Sequence, residues 1–161
     1  MKNKQVIPVL VLLVVTAFGS LAAPTQDLNA DRVPAVVLQA FQARFPTVKH
    51  AAWKIKSDKN YEAEFILNGT EIAAKFDSMG KWLETESAIP RAKVSQAIRD
   101  TAARQFKGYR VIETQSVQRW NEEHLIYELH LQNAREIVKA LFSSDGAILN
   151  QSAKPRTAKG K

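Results

Sequence analysis

Residues 61–84 and 127–150 align without a gap, and this internal echo constrains the fold more than any other feature of the chain. Seven of the 24 positions are identical: Tyr61 with Tyr127, Glu62 with Glu128, Ala74 with Ala140, Phe76 with Phe142, Ser78 with Ser144, Gly80 with Gly146 and Leu83 with Leu149. A proline and an apolar stripe precede each copy. Val37, Leu38, Phe41 and Phe45 follow Pro34; Val94, Ala97, Ile98 and Phe106 follow Pro90. Apolar residues three and four apart line one face of a helix, and proline suits its first turn, where its missing N–H has no partner to lose. Pro46 and Gly108 supply the stops.

The segments between alternate. Trp53 and Ile55 point one way and Lys54 and Lys56 the other; Tyr61, Ala63, Phe65 and Leu67 oppose Glu62 and Glu64. Ile72, Ala74 and Phe76 follow an Asn68-Gly69 hairpin signal, and Lys81–Glu84 reads as a short last strand. The second copy offers 109–120 as a strand with or without a bend, then 125–132, 136–142 and 147–150. The expected fold class is α+β, with two tandem repeats, about residues 31–86 and 87–150, each a helix followed by an antiparallel meander.

The repeated turn, Phe-(Asp/Ser)-Ser-x-Gly, has a local cause. A tight connection between antiparallel strands often needs one residue at positive φ, which only Gly adopts without steric cost. A phosphate-cradling loop would need further glycines and a Lys-Ser/Thr helix start, and the turn has neither.

Residues 1–22 carry Lys2 and Lys4, a short apolar run interrupted by Pro8, and the small residues Ser20 and Ala22. This is the pattern of a secretory signal peptide cleaved after Ala22. It predicts a periplasmic or secreted protein with no transmembrane segment in the mature chain. The chain has no cysteine, which excludes a disulfide scaffold and a lipid anchor on a cysteine after the signal. The formal charge of +7 is unevenly placed: between Ala23 and Asn150 there are 17 basic and 16 acidic residues. The excess sits in the signal and in residues 151–161, expected to be a disordered basic tail. No nucleic-acid partner is expected of so neutral a body.

The proline-led helix, the aromatic strand, "YEAEF" and "FDSMGKW", echoed in the second half, resemble the PepSY-like exported proteins, also described as beta-lactamase-inhibitor-like. The resemblance covers most of Val33 to Asn150, through Trp53, Tyr61, Phe76, Gly80 and Trp82, then Pro90, Phe106, Tyr127, Phe142 and Gly146. It implies helices packed on one face of a curved antiparallel sheet. It also implies a non-catalytic binding module, inhibitor-like or peptidase-regulating, acting on a periplasmic or secreted protein such as a peptidase or other hydrolase.

The residues carry no catalytic motif. There is no GxSxG, no HExxH and no thiol, so neither an enzyme nor a cofactor or metal site is expected. His50, His124 and His130 read as ordinary surface histidines, and alternating Glu and Lys on a strand read as cross-strand pairing. The candidate protein-binding residues are the open-face set Glu62, Glu64, Lys75, Glu128, His130 and Lys139, with Trp82 and Trp120 beside charged neighbours. The alternative is a small-molecule or enzymatic role in a cleft between the repeats, lined by Trp82 or Trp120.

Overall fold

Alternation in the sequence becomes pairing in register. Tyr61, Ala63 and Phe65 stand opposite Phe76, Ala74 and Ile72, and Tyr127, Leu129 and Leu131 stand opposite Phe142, Ala140 and Val138. The computed structural model describes residues 26–156. Its strands are β1 (Gln26–Leu28), β2 (Ala52–Ile55), β3 (Tyr61–Leu67), β4 (Thr70–Phe76), β5 (Trp82–Ala88), β6 (Arg110–Arg119), β7 (Ile126–Gln132), β8 (Glu136–Phe142) and β9 (Ile148–Pro155). Helix α1 (Ala35–Arg44) lies between β1 and β2, and α2 (Gln96–Gln105) between β5 and β6.

The expected pair of helix-plus-meander repeats is corrected by the sheet. All nine strands described belong to one antiparallel sheet in the order β1 to β9. The joint is β5. It does not stop at Glu84 but runs to Ala88, and Glu84–Ala88 pair with Gln115–Arg119 of β6. An open edge of unpaired N–H and C=O groups is thereby closed. Two short helices on a sheet of this size make the fold predominantly β.

Three boundaries also move. Pro90 opens a 3-10 turn over Arg91–Lys93, and α2 starts only after Ser95, whose Oγ accepts the Ile98 N–H at 3.4 Å. Gln26–Leu28, ahead of the first expected repeat, form a strand that pairs with Trp53–Ile55. Gln151–Pro155, expected in the disordered tail, continue β9 along β8. Residues 1–25, which include the expected signal peptide, and residues 157–161 lie outside the described residues.

Both helices cover the same face of the sheet, over separate cores. Val37 and Phe41 of α1 pack with Trp53, Ala63, Phe65, Ala74 and Phe76; Ile98 and Ala102 of α2 pack with Leu129, Leu131, Val138, Ala140 and Phe142. Between the cores, β5 and β6 present Thr85, Ser87, Ser116 and Gln118 to this face, as their register with Ala74, Ile72 and Tyr127 shows. These polar side chains keep the two cores apart.

Candidate functional site: the charged face of the sheet

The face turned away from the helices carries charge in register. Lys54 of β2 stands opposite Glu62 of β3, which stands opposite Lys75 of β4, then Glu84 of β5, then Arg119 of β6. Charges of alternating sign thus cross five strands in one row, the arrangement that stabilises directly opposed pairs. Lys75 Nζ donates to Glu84 Oε1 at 2.6 Å and Arg119 Nε to Glu84 Oε2 at 2.9 Å. Lys56 donates to Glu62 at 2.9 Å, and Lys54 reaches diagonally to Glu64 at 2.5 Å.

A second group occupies β6 to β8. Lys139 Nζ lies 2.7 Å from Glu128 Oε1. His130 stands between two acids, its Nε2 2.6 Å from Glu128 and its Nδ1 2.7 Å from Glu113. Glu62 and Glu128, identical in the sequence echo, are only 5% and 6% exposed. Acids so shielded require cations at hydrogen-bond distance.

Protonation behaviour follows this pairing. Burial alone would raise the Glu84 carboxyl, but Lys75 and Arg119 outweigh it and hold Glu84 below its usual value. Glu128 is likewise held low, His130 and Lys139 prevailing over burial. The Lys75 and Lys139 ammoniums lose hydration, yet their bonds to Glu84 and Glu128 hold both above the usual lysine value.

Glu86 is the exception. It lies on the same face between these groups, opposite Ala73 and Val117, and makes no ion pair among the described residues. Val117 in turn stands opposite Ile126, and both are buried. In this apolar setting burial, then repulsion from Glu128, pushes the Glu86 carboxyl up to about 7.

Beside it the sheet bends into a hollow of about 440 Å³, whose walls include Glu64 and Glu71 on one side and Glu113 and Gln115 on the other. Gln115 donates its amide to Glu113 at 2.8 Å. Its Oε1 is buried with no hydrogen-bond partner among the described residues. The hollow is therefore walled by acids, with the orphan acceptor on one of its lining residues, and matches a hydrogen-bond donor bearing positive charge.

Of the residues expected from sequence, Glu62, Glu64, Lys75, Glu128, His130 and Lys139 lie together on this face. The two tryptophans do not join them. Trp82 stands opposite Phe76 and packs against the α1 core, its indole donating to Thr85 Oγ1 at 2.9 Å and the Arg44 guanidinium lying 3.5 Å above its ring. Trp120 follows β6, 55% exposed, with Lys81 Nζ 3.1 Å from its ring centroid. Between the two cores, on the helix-covered face, runs a groove of about 640 Å³ lined by Ile72, Ser87, Ser116, Leu125 and Tyr127 among others. Neither Trp82 nor Trp120 lines it. The face also holds residues the sequence reading missed: Glu84, Glu86, Glu113 and Arg119. The signal was available in "WLETES", where Glu84 and Glu86 alternate as Glu62 and Glu64 do.

A family model described as "Putative beta-lactamase-inhibitor-like, PepSY-like" matches residues 59–150. The chain belongs to this PepSY-like family. Solved structures share its fold. A protein from Bacteroides eggerthii described as a "putative periplasmic" protein has a TM-score of 0.66 at 22% identity, the match covering 75% of this chain and 88% of the other. A BLIP-like protein from Bacteroides fragilis has a TM-score of 0.61 at 18% identity, over 80% and 91% of the two chains. A search of curated proteins gave no match. Among the described residues no helix of this PepSY-like chain is long and apolar enough to cross a membrane.

Proposed function

We propose that this PepSY-like chain is an exported, non-catalytic module that binds another protein through the charged face of its sheet. The observation that carries the reading is Glu86. Its neighbours Glu84 and Glu128 each hold two cationic or imidazole partners, whereas Glu86 has none and stands near an acidic hollow with an orphan acceptor. A Lys or Arg side chain of a partner, inserted there, would supply the missing charge and hydrogen bonds. The family's inhibitor-like description supports an exported hydrolase as the partner class. The sequence of residues 1–22 supports export, with a mature chain starting at Ala23.

The test uses partly exposed positions, and the urea midpoint of each variant is measured first so that loss of binding is separated from loss of fold. Glu64, Glu113 and Lys139 have side chains about 40% exposed. The variants E64K with E113K, and K139E, are compared with wild type and with Q39K on the exposed side of α1 in affinity capture from the exported fraction of the native host. The face variants are expected to lose the captured protein while Q39K keeps it. Equal recovery by all four would remove this face from the function. Intact mass of the exported chain tests cleavage after Ala22.

A further inference from the structure

The two cores follow one plan but are filled differently. In the first, Phe41 of α1 reaches between strands to Trp53 and Phe65, with ring centroids 5.3 Å away in each case. On α2 the position one turn after Ile98, where α1 has Phe41 after Val37, is Ala102. Opposite Leu129, where β2 has Trp53 opposite Ala63, β6 has Thr114. The place of Phe65, two residues along its strand, is taken by Leu131. Three aromatic side chains are replaced by Ala, Thr and Leu while the helix still spans the strands, so volume is left unfilled.

A cavity of about 360 Å³ lies there, within the roughly 300–1,000 Å³ of small-molecule sites. Its inner wall includes Ala102, Phe106, Leu129 and Leu131, all buried. The Thr114 hydroxyl is turned out of play, donating to the Ile89 carbonyl at 2.6 Å. Arg91, Arg99 and Arg110 also line it. None of these three makes an ion pair among the described residues. Among the described residues the Arg99 guanidinium donates only to the Val94 carbonyl and, at 2.6 Å, to Gln96 Oε1. Three guanidiniums without carboxylates at the edge of an apolar space match a ligand with a hydrocarbon body and an anionic head.

We propose that the cavity under α2 binds a small amphipathic carboxylate, its hydrocarbon chain beside Ala102 and its carboxylate at Arg91, Arg99 and Arg110. The site lies on the helix-covered side of the sheet and is independent of the charged face.

Octanoate and 1-octanol serve as probes, titrated calorimetrically into the full chain at low salt. Octanoate is expected to bind saturably and about tenfold more tightly than the alcohol. Ala102→Phe, which gives α2 the residue α1 already has, is expected to weaken octanoate at least tenfold. The double variant R91Q/R110Q, both residues being exposed, is expected to bring octanoate down to the level of octanol and leave octanol unchanged. No saturable octanoate binding by wild type overturns the proposal. So does undiminished binding by a folded A102F variant, or an unchanged preference for the carboxylate in R91Q/R110Q, which also decides the matter if A102F does not fold.

Discussion

Gly80 stands against the backbone of Val36: a Cβ placed on Gly80 would lie 2.8 Å from the Val36 carbonyl oxygen. Gly146 meets Ala97 in the same way, also at 2.8 Å. Both glycines have positive φ, +82° and +91°. The turn thus needs Gly for two reasons, its own conformation and the close approach of the first turn of a helix. Gly69, at φ +78°, has nothing within 4 Å of such a Cβ.

The comparison separates the two causes. Gly69→Ala should cost about 1 kcal/mol, the backbone term alone. Gly80→Ala and Gly146→Ala should cost ~2–4 kcal/mol, because helix and turn must also move apart. Urea denaturation of the three variants measures this; equal losses would show that the approach to the helix carries no energy.

Lys75 and Lys54 make similar contacts in different surroundings. The side chains of Lys75 and Glu84 are 19% and 14% exposed, those of Lys54 and Glu64 28% and 41%. Lys75→Met leaves a shielded Glu84 with Arg119 alone and should cost about 1–3 kcal/mol. Lys54→Met should cost less than about 1 kcal/mol, since water compensates the loss. Urea midpoints at pH 7 give both values.

Glu86 predicts a pH dependence of definite sign. Its carboxyl lies at about 7 in the fold against 4.5 ordinarily, so the folded state favours the protonated form. Its contribution is fully present below about 4.5 and is lost as pH rises through about 7. The charged groups acting on it are Glu62 of β3, Glu84 of β5, Glu128 of β7 and Lys139 of β8. Glu86→Gln should gain ~1–3 kcal/mol over wild type at pH 8 compared with pH 4.5. Denaturant titrations of both proteins at the two pH values test it, the difference cancelling titrations they share; a constant difference would mean that Glu86 ionises normally.

The three tryptophans should differ in access to solvent. Trp53 is 5% exposed and Trp120 55%. Iodide should quench mainly Trp120, so Trp120→Phe should remove most of the quenchable emission. Quenching unchanged in that variant would place Trp120 under cover.

Where one face of a strand is apolar, the sequence revealed the structure. Phe65, Ala74 and Phe76, and their counterparts on β7 and β8, mark the helix-covered face, and the acids and lysines between them mark the other. The central strands lacked this contrast. Thr85 and Ser87 are polar on the covered face, so β5 past Glu84 carried no apolar signal, and pairing with β6 alone extends it. Trp82, a candidate binding residue whose face the sequence left open, stands on the core side for a geometric reason. A register shift between Lys75 and Phe76 leaves Leu83 unpaired with β4, and Trp82 stays with Phe76 on the core side. Pro90 was read as a helix start because proline suits any first turn, including the 3-10 turn that precedes α2. The unpaired state of Glu86 and the cavity beside Ala102 are properties of three-dimensional neighbours, which no local pattern encodes.

Every strand of the sheet pairs with the strands next to it in the chain. Six of the eight connections are direct turns, and the other two enclose one α-helix each. Most of the assembly therefore requires only short closures, whose entropic cost is small, and no strand must wait for a partner made beyond its sequence neighbour. A nine-strand sheet is ordinarily a slow topology, but its rate is governed by the separation in sequence of the residues that meet. Here that separation is small at six of the eight junctions, so each half can zip hairpin by hairpin, and the two helix-bearing connections are the longer closures that join the pieces.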